Sequence, residues 1–246
     1  MESSTDREWK KWGASDPYYG VLGYSTQSVA DPDVHRAFLA TGRDDLGRAI
    51  DDVERLFGDV ERGRALDFGC GVGRIMGAML DTGFKSVDGI DVSPDMIAEA
   101  RKNIGDNPQV RYISSVGDVP QEGGYDFVHT YIVLQHIRPP QGIPLIKSLI
   151  ELAKPGGAFA LHFTIADTRA RARVINFFRY RMKPLHVLYN AVRGRRLGEP
   201  VMEMNRYPVA QVLAETAALS GGLYGLRWID RGGGVLGVVL MGRRAG

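Results

Sequence analysis

The chain alternates short hydrophobic runs with longer stretches in which apolar residues recur at helical spacing. Runs of aliphatic and aromatic residues that end at glycine, proline or acidic positions predict β-strands. Seven strands are predicted on this basis, at residues 64–68, 86–90, 110–114, 125–130, 158–164, 226–231 and 235–243. The last two flank a run of three glycines and are predicted to form a β-hairpin.

Amphipathic segments between these runs predict helices. Residues 43–57 place their apolar side chains on one helical face. Ser93, Pro94 and Asp95 form a helix start, with a capping hydroxyl, proline at the first position and an acid in the first turn. Further helices are predicted from residue 75 to near residue 83, at 143–153 and at 209–219.

Strands that alternate with helices predict a parallel sheet with right-handed crossovers. The predicted fold class is α/β: a Rossmann-like doubly wound sheet, mostly parallel, with one antiparallel strand from the C-terminal hairpin. Four regions are expected along the chain. They are an N-terminal aromatic lid and helix at 1–63, a cofactor-binding core at 64–164, a basic insertion or cap at 165–207, and the last helix with the closing hairpin at 208–246.

The composition is that of an ordinary globular protein, with 246 residues of which 44% are hydrophobic and 24% charged. The single cysteine, Cys70, excludes an intramolecular disulfide and any site that needs several cysteines. The first residues lack the apolar stretch of a signal peptide, and no apolar run reaches about 18 residues. These features predict a cytoplasmic protein without a stable membrane anchor.

The net charge of +2 is unevenly distributed. Between residues 165 and 206, nine arginines and one lysine stand against three acids. This segment is open to three interpretations: a cap over a ligand pocket, a homodimer contact, or a basic amphipathic helix at a membrane surface. Its arginines could also bind a phosphate or carboxylate. A nucleic-acid partner is not expected, because no recognisable DNA- or RNA-binding module accompanies this one basic segment.

A glycine-rich turn joins the first strand to the helix after it, and contains Asp67, Gly69, Cys70, Gly71 and Gly73. Glycines there let the backbone turn sharply and approach a ligand closely, and the helix start offers free N–H groups.

The second part of the ligand signal is Asp91, which lies 22 residues after Gly69 and ends the second strand. An α/β fold places at this point a carboxylate that accepts hydrogen bonds from ribose hydroxyls. The G-x-G-x-x-G pattern of nicotinamide-binding turns is not met, because its sixth position is Arg74.

With this glycine pattern the sequence resembles the class I S-adenosylmethionine-dependent methyltransferases. Three further blocks match in order: Tyr125-Asp126-Phe127-Val128, Leu134-Gln135-His136-Ile137 and Leu152-Ala153-Lys154-Pro155-Gly156-Gly157. The resemblance implies S-adenosylmethionine as cofactor, with its amino-acid part on the glycine turn and its ribose on Asp91.

The resemblance also assigns the remaining cofactor contacts. It implies that Val92 packs on adenine, with Met96 beside it. Ser115 stands where many family members carry an acid that contacts the adenine amino group, so either the Ser115 hydroxyl or the Val116 backbone is expected to replace that contact. Thr130, at the end of the fourth strand, completes the predicted set.

His136 is the predicted general base, because an imidazole near neutral pKa can take a hydroxyl proton. In the similar phosphoethanolamine methyltransferases, a matching histidine works with a tyrosine of the N-terminal lid, which implies a role for Tyr18 or Tyr19. The alternative is that His136 only packs or orients a substrate. His129 and His162 lie inside predicted strands and are expected to be core residues. No metal site is expected.

The predicted function is methylation of a small-molecule acceptor, with a hydroxyl of a sugar or secondary metabolite favoured. An N-methyltransferase of a small amine and a non-catalytic cofactor-binding regulatory protein are the alternatives. The aromatic N-terminal segment is interpreted either as a lid that excludes water or as a helix packed on the sheet edge.

Overall fold

The computed structural model describes residues 3–23, 25–120, 123–168, 202–230 and 234–246, together with residues 192 and 232. Within these ranges the seven predicted strands are present. They are β1 (Arg64–Phe68), β2 (Ser86–Ile90), β3 (Val110–Ile113), β4 (Tyr125–Thr130), β5 (Ala153–Asp167), β6 (Gly225–Asp230) and β7 (Val235–Arg243).

The strands form one sheet in the order β3-β2-β1-β4-β5-β7-β6. The first five pair in parallel, and β7 runs antiparallel between β5 and β6. The predicted fold class, a doubly wound sheet with one antiparallel strand from the C-terminal hairpin, is therefore confirmed. The strand order reverses between β1 and β4, the position at which such sheets bind ligands.

Two elements are longer than the sequence predicted. β5 extends to Asp167 because all of β7 pairs with it, from the pair Ala158–Arg243 to the pair Asp167–Val235. The helix predicted at 43–57 begins at Pro32. Asp31 caps it by accepting from the N–H groups of Asp33 and Val34, so its start has a capping side chain, a proline and an acid in the same order as the helix that begins at Pro94.

Seven helices accompany the strands in the described ranges. They are α1 (Ser4–Ser15), α2 (Pro17–Leu22), α3 (Pro32–Phe57), α4 (Arg74–Asp81), α5 (Pro94–Ile104), α6 (Pro139–Leu152) and α7 (Val209–Thr216), with short 3₁₀ turns between some of them. None of them combines the length and apolarity needed to cross a membrane.

The helices cover both faces of the sheet with apolar side chains. On one face, Leu46 and Ile50 of α3 pack with Met79 of α4 against Val87 and Phe127. On the other face, Ile146 and Leu149 of α6 and Val212 of α7 pack against Val128 and Phe159. This two-sided burial explains why the central strands are continuous hydrophobic runs.

The N-terminal helices form a third cluster, which packs on α5 rather than on the sheet. Trp12 and Tyr18 are buried there with Phe38, Val72 and Met96. The approach is close, because a Cβ added at Gly13 of α1 would lie 2.1 Å from the hydroxyl oxygen of Ser93. This packing brings α1 and α2 to the carboxyl ends of β1 and β2.

Candidate functional site

The glycine turn between β1 and α4 is built from residues with positive φ. Gly69, Gly71 and Gly73 have φ values of 73°, 52° and 83°. The N–H groups of Gly69 and Cys70 both donate to the carbonyl of Ile90, at 2.8 and 2.9 Å, which ties the turn to the end of β2. A Cβ on Gly69 would lie 2.3 Å from Val133, so only glycine fits.

Asp91 follows β2 directly and faces the turn. Its carboxylate accepts from the N–H groups of Gly71 and Ser93, each at 2.9 Å. Burial raises the pKa of Asp91 to about 6, against the opposing effect of these hydrogen bonds, and the nearby carboxylate of Asp67 acts in the same direction as burial. The site therefore holds a half-buried carboxylate at the cavity wall that donors from a ligand would stabilise.

A cavity of about 440 Å³ opens at this end of the sheet. Its floor is formed by the glycine turn and by the residues that follow β2, β3 and β4. Trp9 of α1 and Val21 of α2 form another part of its wall, and Leu145 of α6 lies in a third part. The cavity thus joins the glycine turn and Asp91 to the segment that follows β4.

His136 lies in that segment, is buried, and lines the cavity. Its Nδ1 is 2.7 Å from the backbone oxygen of Glu203, and its Nε2 is 3.1 Å from Nε2 of Gln135. Because a carbonyl oxygen can only accept, Nδ1 carries the proton. Gln135 in turn accepts from the hydroxyl of Thr164 at 3.0 Å, so its amide NH₂ faces His136.

This chain of hydrogen bonds defines the tautomer of His136. Nδ1 donates to Glu203, and the lone pair of Nε2 accepts from Gln135. A neutral imidazole held in this way presents Nε2 as its basic nitrogen. The indole of Trp9 covers the ring edge to face, with ring centroids 4.8 Å apart.

Residues 65–157 match the family model described as a methyltransferase domain. An uncharacterised methyltransferase of Synechocystis is 35% identical over 100 residues, which cover 40% of this chain and 45% of that protein. A tRNA U34 carboxymethyltransferase of Shewanella frigidimarina is 31% identical over 134 residues, or 53% of this chain and 40% of that protein. The matched stretches thus span less than half the length of these two relatives.

The fold comparison covers nearly all of the chain. The structure of a magnesium protoporphyrin IX methyltransferase from Synechocystis with bound SAH superposes with a TM-score of 0.61 at 16% identity, over 98% of this chain and 100% of that one. Residues 65–157 are thus similar to methyltransferase domains, and the chain shares the fold of the solved methyltransferase. The resemblance inferred from the glycine turn, Asp91 and the later sequence blocks is confirmed.

The fold brings most of the sequence-predicted site residues to one cavity. Eight of them line it: Gly69, Gly71, Asp91, Val92, Met96, Ser115, Val116 and His136. Their roles as cofactor contacts and base remain predictions. The structure shows that the eight residues line the same cavity.

Four of the predicted cofactor residues lie behind this lining. Asp67 is buried against His129, with Oδ1 3.2 Å from Nδ1. Gly73 packs against Ala100 and Ile104 of α5. Cys70 is buried, and burial raises the pKa of its thiol well above the usual value, so it is not a reactive thiolate. Thr130 is fully buried, and its hydroxyl has no hydrogen-bond partner among the residues that the structure describes.

The structure places the two predicted catalytic tyrosines away from the cavity. The hydroxyl of Tyr18 is 3.0 Å from Oδ1 of Asn103 and 3.2 Å from Oε1 of Glu99, both on α5, and neither residue lines the cavity. The amide of Asn103 donates to the carbonyl of Val72 in the glycine turn at 2.9 Å. Tyr18 therefore fastens α2 to the turn, which differs from the predicted catalytic role.

Tyr19 packs on Trp12, with ring centroids 5.3 Å apart, and is not in the cavity wall either. The aromatic residue that does reach His136 is Trp9, which sequence reasoning placed in the lid without singling it out. The basic insertion predicted at 165–207 lies largely outside the described residues. Of the residues near its end, Glu203 bonds His136, and Arg138 forms an ion pair with Glu203 at 2.8 Å.

Other cavity residues have no strong sequence signal. Tyr131, Ile132 and Val133 line the cavity just after β4, and Ile137 and Leu145 line it further along. They follow the matched block Tyr125-Asp126-Phe127-Val128, so their position after a strand was the available clue. Their side-chain types alone are equally typical of a hydrophobic core.

Proposed function

We propose that this protein is an S-adenosylmethionine-dependent methyltransferase that methylates a hydroxyl of a small, uncharged acceptor. The observation that carries the proposal is the single cavity that joins the glycine turn and Asp91 to Nε2 of His136. The similarity to known methyltransferases supports methyl transfer, and the residues that line the cavity indicate the kind of acceptor.

The residues present fit S-adenosylmethionine. Gly69 and Gly71 line the cavity without side chains, so a ligand can approach the backbone of the turn closely. The Asp91 carboxylate, at the end of β2, would accept from two adjacent ribose hydroxyls. Val92 and Met96 offer apolar surface for adenine. The Ser115 oxygen accepts from the N–H of Gly117 at 3.0 Å, which leaves its hydroxyl hydrogen to donate to an adenine nitrogen.

The acceptor end of the cavity is aromatic and aliphatic. Trp9 packs on His136, and Tyr131, Ile137 and Leu145 line the same cavity. Within the part of the lining that the structure describes, the only charged side chains are the carboxylates of Asp6 and Asp91, and no lysine or arginine is present. A phosphate or carboxylate acceptor would be repelled there, whereas a neutral compound with an apolar body would be retained.

When bound, the cofactor supplies a methyl group on a sulfonium, whose carbon–sulfur bond breaks as the bond from acceptor oxygen to methyl carbon forms. The chain's own contribution is alignment, exclusion of water and removal of the hydroxyl proton. The acceptor hydroxyl replaces Gln135 as the hydrogen-bond donor to Nε2 of His136. Nε2 then takes the proton of that hydroxyl. The carbonyl of Glu203 then stabilises the resulting imidazolium through Nδ1–H.

An amine acceptor is the second candidate function. A neutral amine carries a lone pair and needs no base during methylation. The hydrogen bonds that keep Nε2 of His136 as a proton acceptor favour the hydroxyl, whose proton must be removed as its oxygen attacks the methyl carbon.

The experiment begins with calorimetric binding of S-adenosylmethionine and its demethylated product to the wild-type chain. Neutral hydroxyl compounds are then screened for methyl transfer, and the best acceptor is tested with His136→Ala. The expected result is a loss in kcat of roughly 10²-fold or more, with unchanged cofactor affinity. Trp9→Phe is the matched control in the same wall, and it should change mainly KM.

Two results would contradict the proposal at different levels. If wild-type protein binds neither cofactor form, the methyltransferase function itself is wrong. If His136→Ala changes KM but leaves kcat within a fewfold of wild type, His136 is not a base, and an amine acceptor is favoured.

A further inference from the structure

The peptide that follows β4 has a backbone conformation that branched residues avoid. Ile132 has a φ of 66°, in the left-handed region, and within the described ranges no other non-glycine residue has a positive φ. Its branched Cβ disfavours this region, so contacts with the rest of the fold must hold it there. Ile132 lines the cavity with its neighbours Tyr131 and Val133.

A buried histidine on the adjacent strand provides such a contact. The N–H of Ile132 donates to Nδ1 of His162 at 3.2 Å. His162 lies in the middle of β5, is fully buried, and does not line the cavity. Its ring also packs against that of Tyr131, with centroids 5.0 Å apart. His162 therefore contacts both Tyr131 and Ile132, the two residues joined by the peptide with the unusual orientation.

The opposite side of the His162 ring packs closely against β7. On β7, a Cβ at position 237 would lie 2.5 Å from Nε2 of His162, so the ring has room only because that residue is Gly237. The ring is thus held between β7 and the segment after β4. It cannot turn away from Ile132 without displacing one of them.

We propose that His162 is a positioning residue that shapes the ligand cavity through Ile132. The peptide between Tyr131 and Ile132 is trans and planar, so an N–H that points to His162 turns the Tyr131 carbonyl to the opposite side. Without an acceptor at position 162, the N–H loses its partner and Ile132 relaxes toward an ordinary β conformation. That change rotates the Tyr131 carbonyl and moves the cavity wall.

The inference rests on the proposed function only for the choice of ligand, which is S-adenosylmethionine or its demethylated product. Two substitutions test it with matched side-chain shapes. His162→Asn places a carbonyl oxygen near the position of Nδ1, and His162→Leu has almost the same shape without an acceptor. The leucine variant should bind the cofactor about fivefold to tenfold more weakly than the asparagine variant.

The same pair separates positioning from a purely structural role. A buried asparagine leaves part of its amide unpaired, so the asparagine variant should melt at the lower temperature. A structural role predicts that affinity follows stability, with leucine the better binder. The positioning role predicts the reverse order for affinity.

Ile132→Gly provides the second arm, because glycine adopts the left-handed region without steric cost. In that background, the difference between leucine and asparagine at position 162 should shrink to less than about twofold. Phe159→Leu, on the same strand but outside the cavity wall, is the control for general damage to β5 and should leave the affinity unchanged.

Three outcomes would each contradict the proposed function or the role of His162. A wild type that binds neither cofactor form contradicts the proposed function and the ligand chosen here. A wild type that binds, together with equal affinities for the asparagine and leucine variants, overturns the role of His162. A difference that persists unchanged in the Ile132→Gly background overturns the route through Ile132.

Discussion

Lowering the pH from 7 to 5 should weaken the binding of S-adenosylmethionine about tenfold, because both oxygens of Asp91 accept from ribose hydroxyls only when the carboxyl group is ionised. Burial raises the pKa of Asp91 to about 6. The ionised fraction is then roughly 0.9 at pH 7 and roughly 0.1 at pH 5. Apparent affinity scales with the fraction of protein in the binding-competent form, which gives the tenfold change.

Calorimetric titrations at pH 5, 6 and 7 measure this dependence. The ligand itself changes little over this range, because an α-carboxyl titrates near pH 3.5 and an α-amino group near 7.8, by roughly these reference values. Asp91→Asn is the matched control. It should bind weakly at each pH, and any slope it retains belongs to other groups in the cavity, such as His136.

The ligand-free protein should respond to pH in the opposite direction. The pKa of Asp91 is raised from 3.8 to about 6 on folding, so the folded chain binds more protons than the unfolded chain between these values. This contribution to the free energy of unfolding is present in full below pH 3.8 and is lost as the pH rises through 6. From pH 7 to pH 5, Asp91 should add roughly 1.3 kcal/mol of stability.

Chemical denaturation of wild type and Asp91→Asn at the two pH values isolates that contribution. The reasoning about Asp91 would be refuted by an affinity that is equal at pH 5 and 7 in the wild type. It would also be refuted by a wild-type pH slope that Asp91→Asn reproduces in full.

Two further predictions concern the glycine turn and its attachment to the N-terminal helices. Gly69→Ala should lower the free energy of unfolding by roughly 2 kcal/mol or more and weaken cofactor binding at least tenfold, because φ is 73° and the new Cβ would lie 2.3 Å from Val133. Gly47→Ala, in open space on α3, is its control and should be neutral or stabilising in the same denaturation assay. Tyr18→Phe should cost about 1 kcal/mol of stability through the lost bond to Asn103, with cofactor affinity reduced severalfold and kcat at saturation unchanged. A 10²-fold fall in kcat would instead support the catalytic role that the resemblance implied.

The core of the fold was predictable because its local signals are strong and agree with one another. The hydrophobic runs fixed the central strands within a residue or two, and Asp67, Gly69 and Asp91 occur at the spacing of a strand, turn, helix and strand. Gly69 and Asp91 are required by the backbone around the turn, because Gly69 has a positive φ and Asp91 accepts from two N–H groups. The length of β5 was not encoded locally, because it depends on pairing with β7 along Ala158–Asp167.

The N-terminal segment shows where such reasoning stops. Its aromatic content predicted a lid, and α1 and α2 do form part of the cavity wall. Which ring faces the cavity depends on how α1 packs on α5, a contact determined by Gly13 against Ser93. The helical pattern of α1 gives no information about that partner, so the sequence did not indicate that Trp9, and not Tyr18, lines the cavity.

Ile132 illustrates a different limit, in which a local rule predicts the wrong conformation. A β-branched residue after a strand favours extended backbone, and nothing in residues 130–134 signals a left-handed turn. The conformation becomes intelligible only through His162, which lies 30 residues further along the chain and was predicted to be an ordinary core histidine. Strain of this kind is retained where the surrounding structure enforces it, and here it lies in the wall of the ligand cavity. A glycine at position 132 would have relieved the strain, but it would also have removed a side chain from the cavity wall. The pairing of Ile132 with His162 provides both a defined surface and a fixed carbonyl direction, which is why we regard that histidine as part of the site.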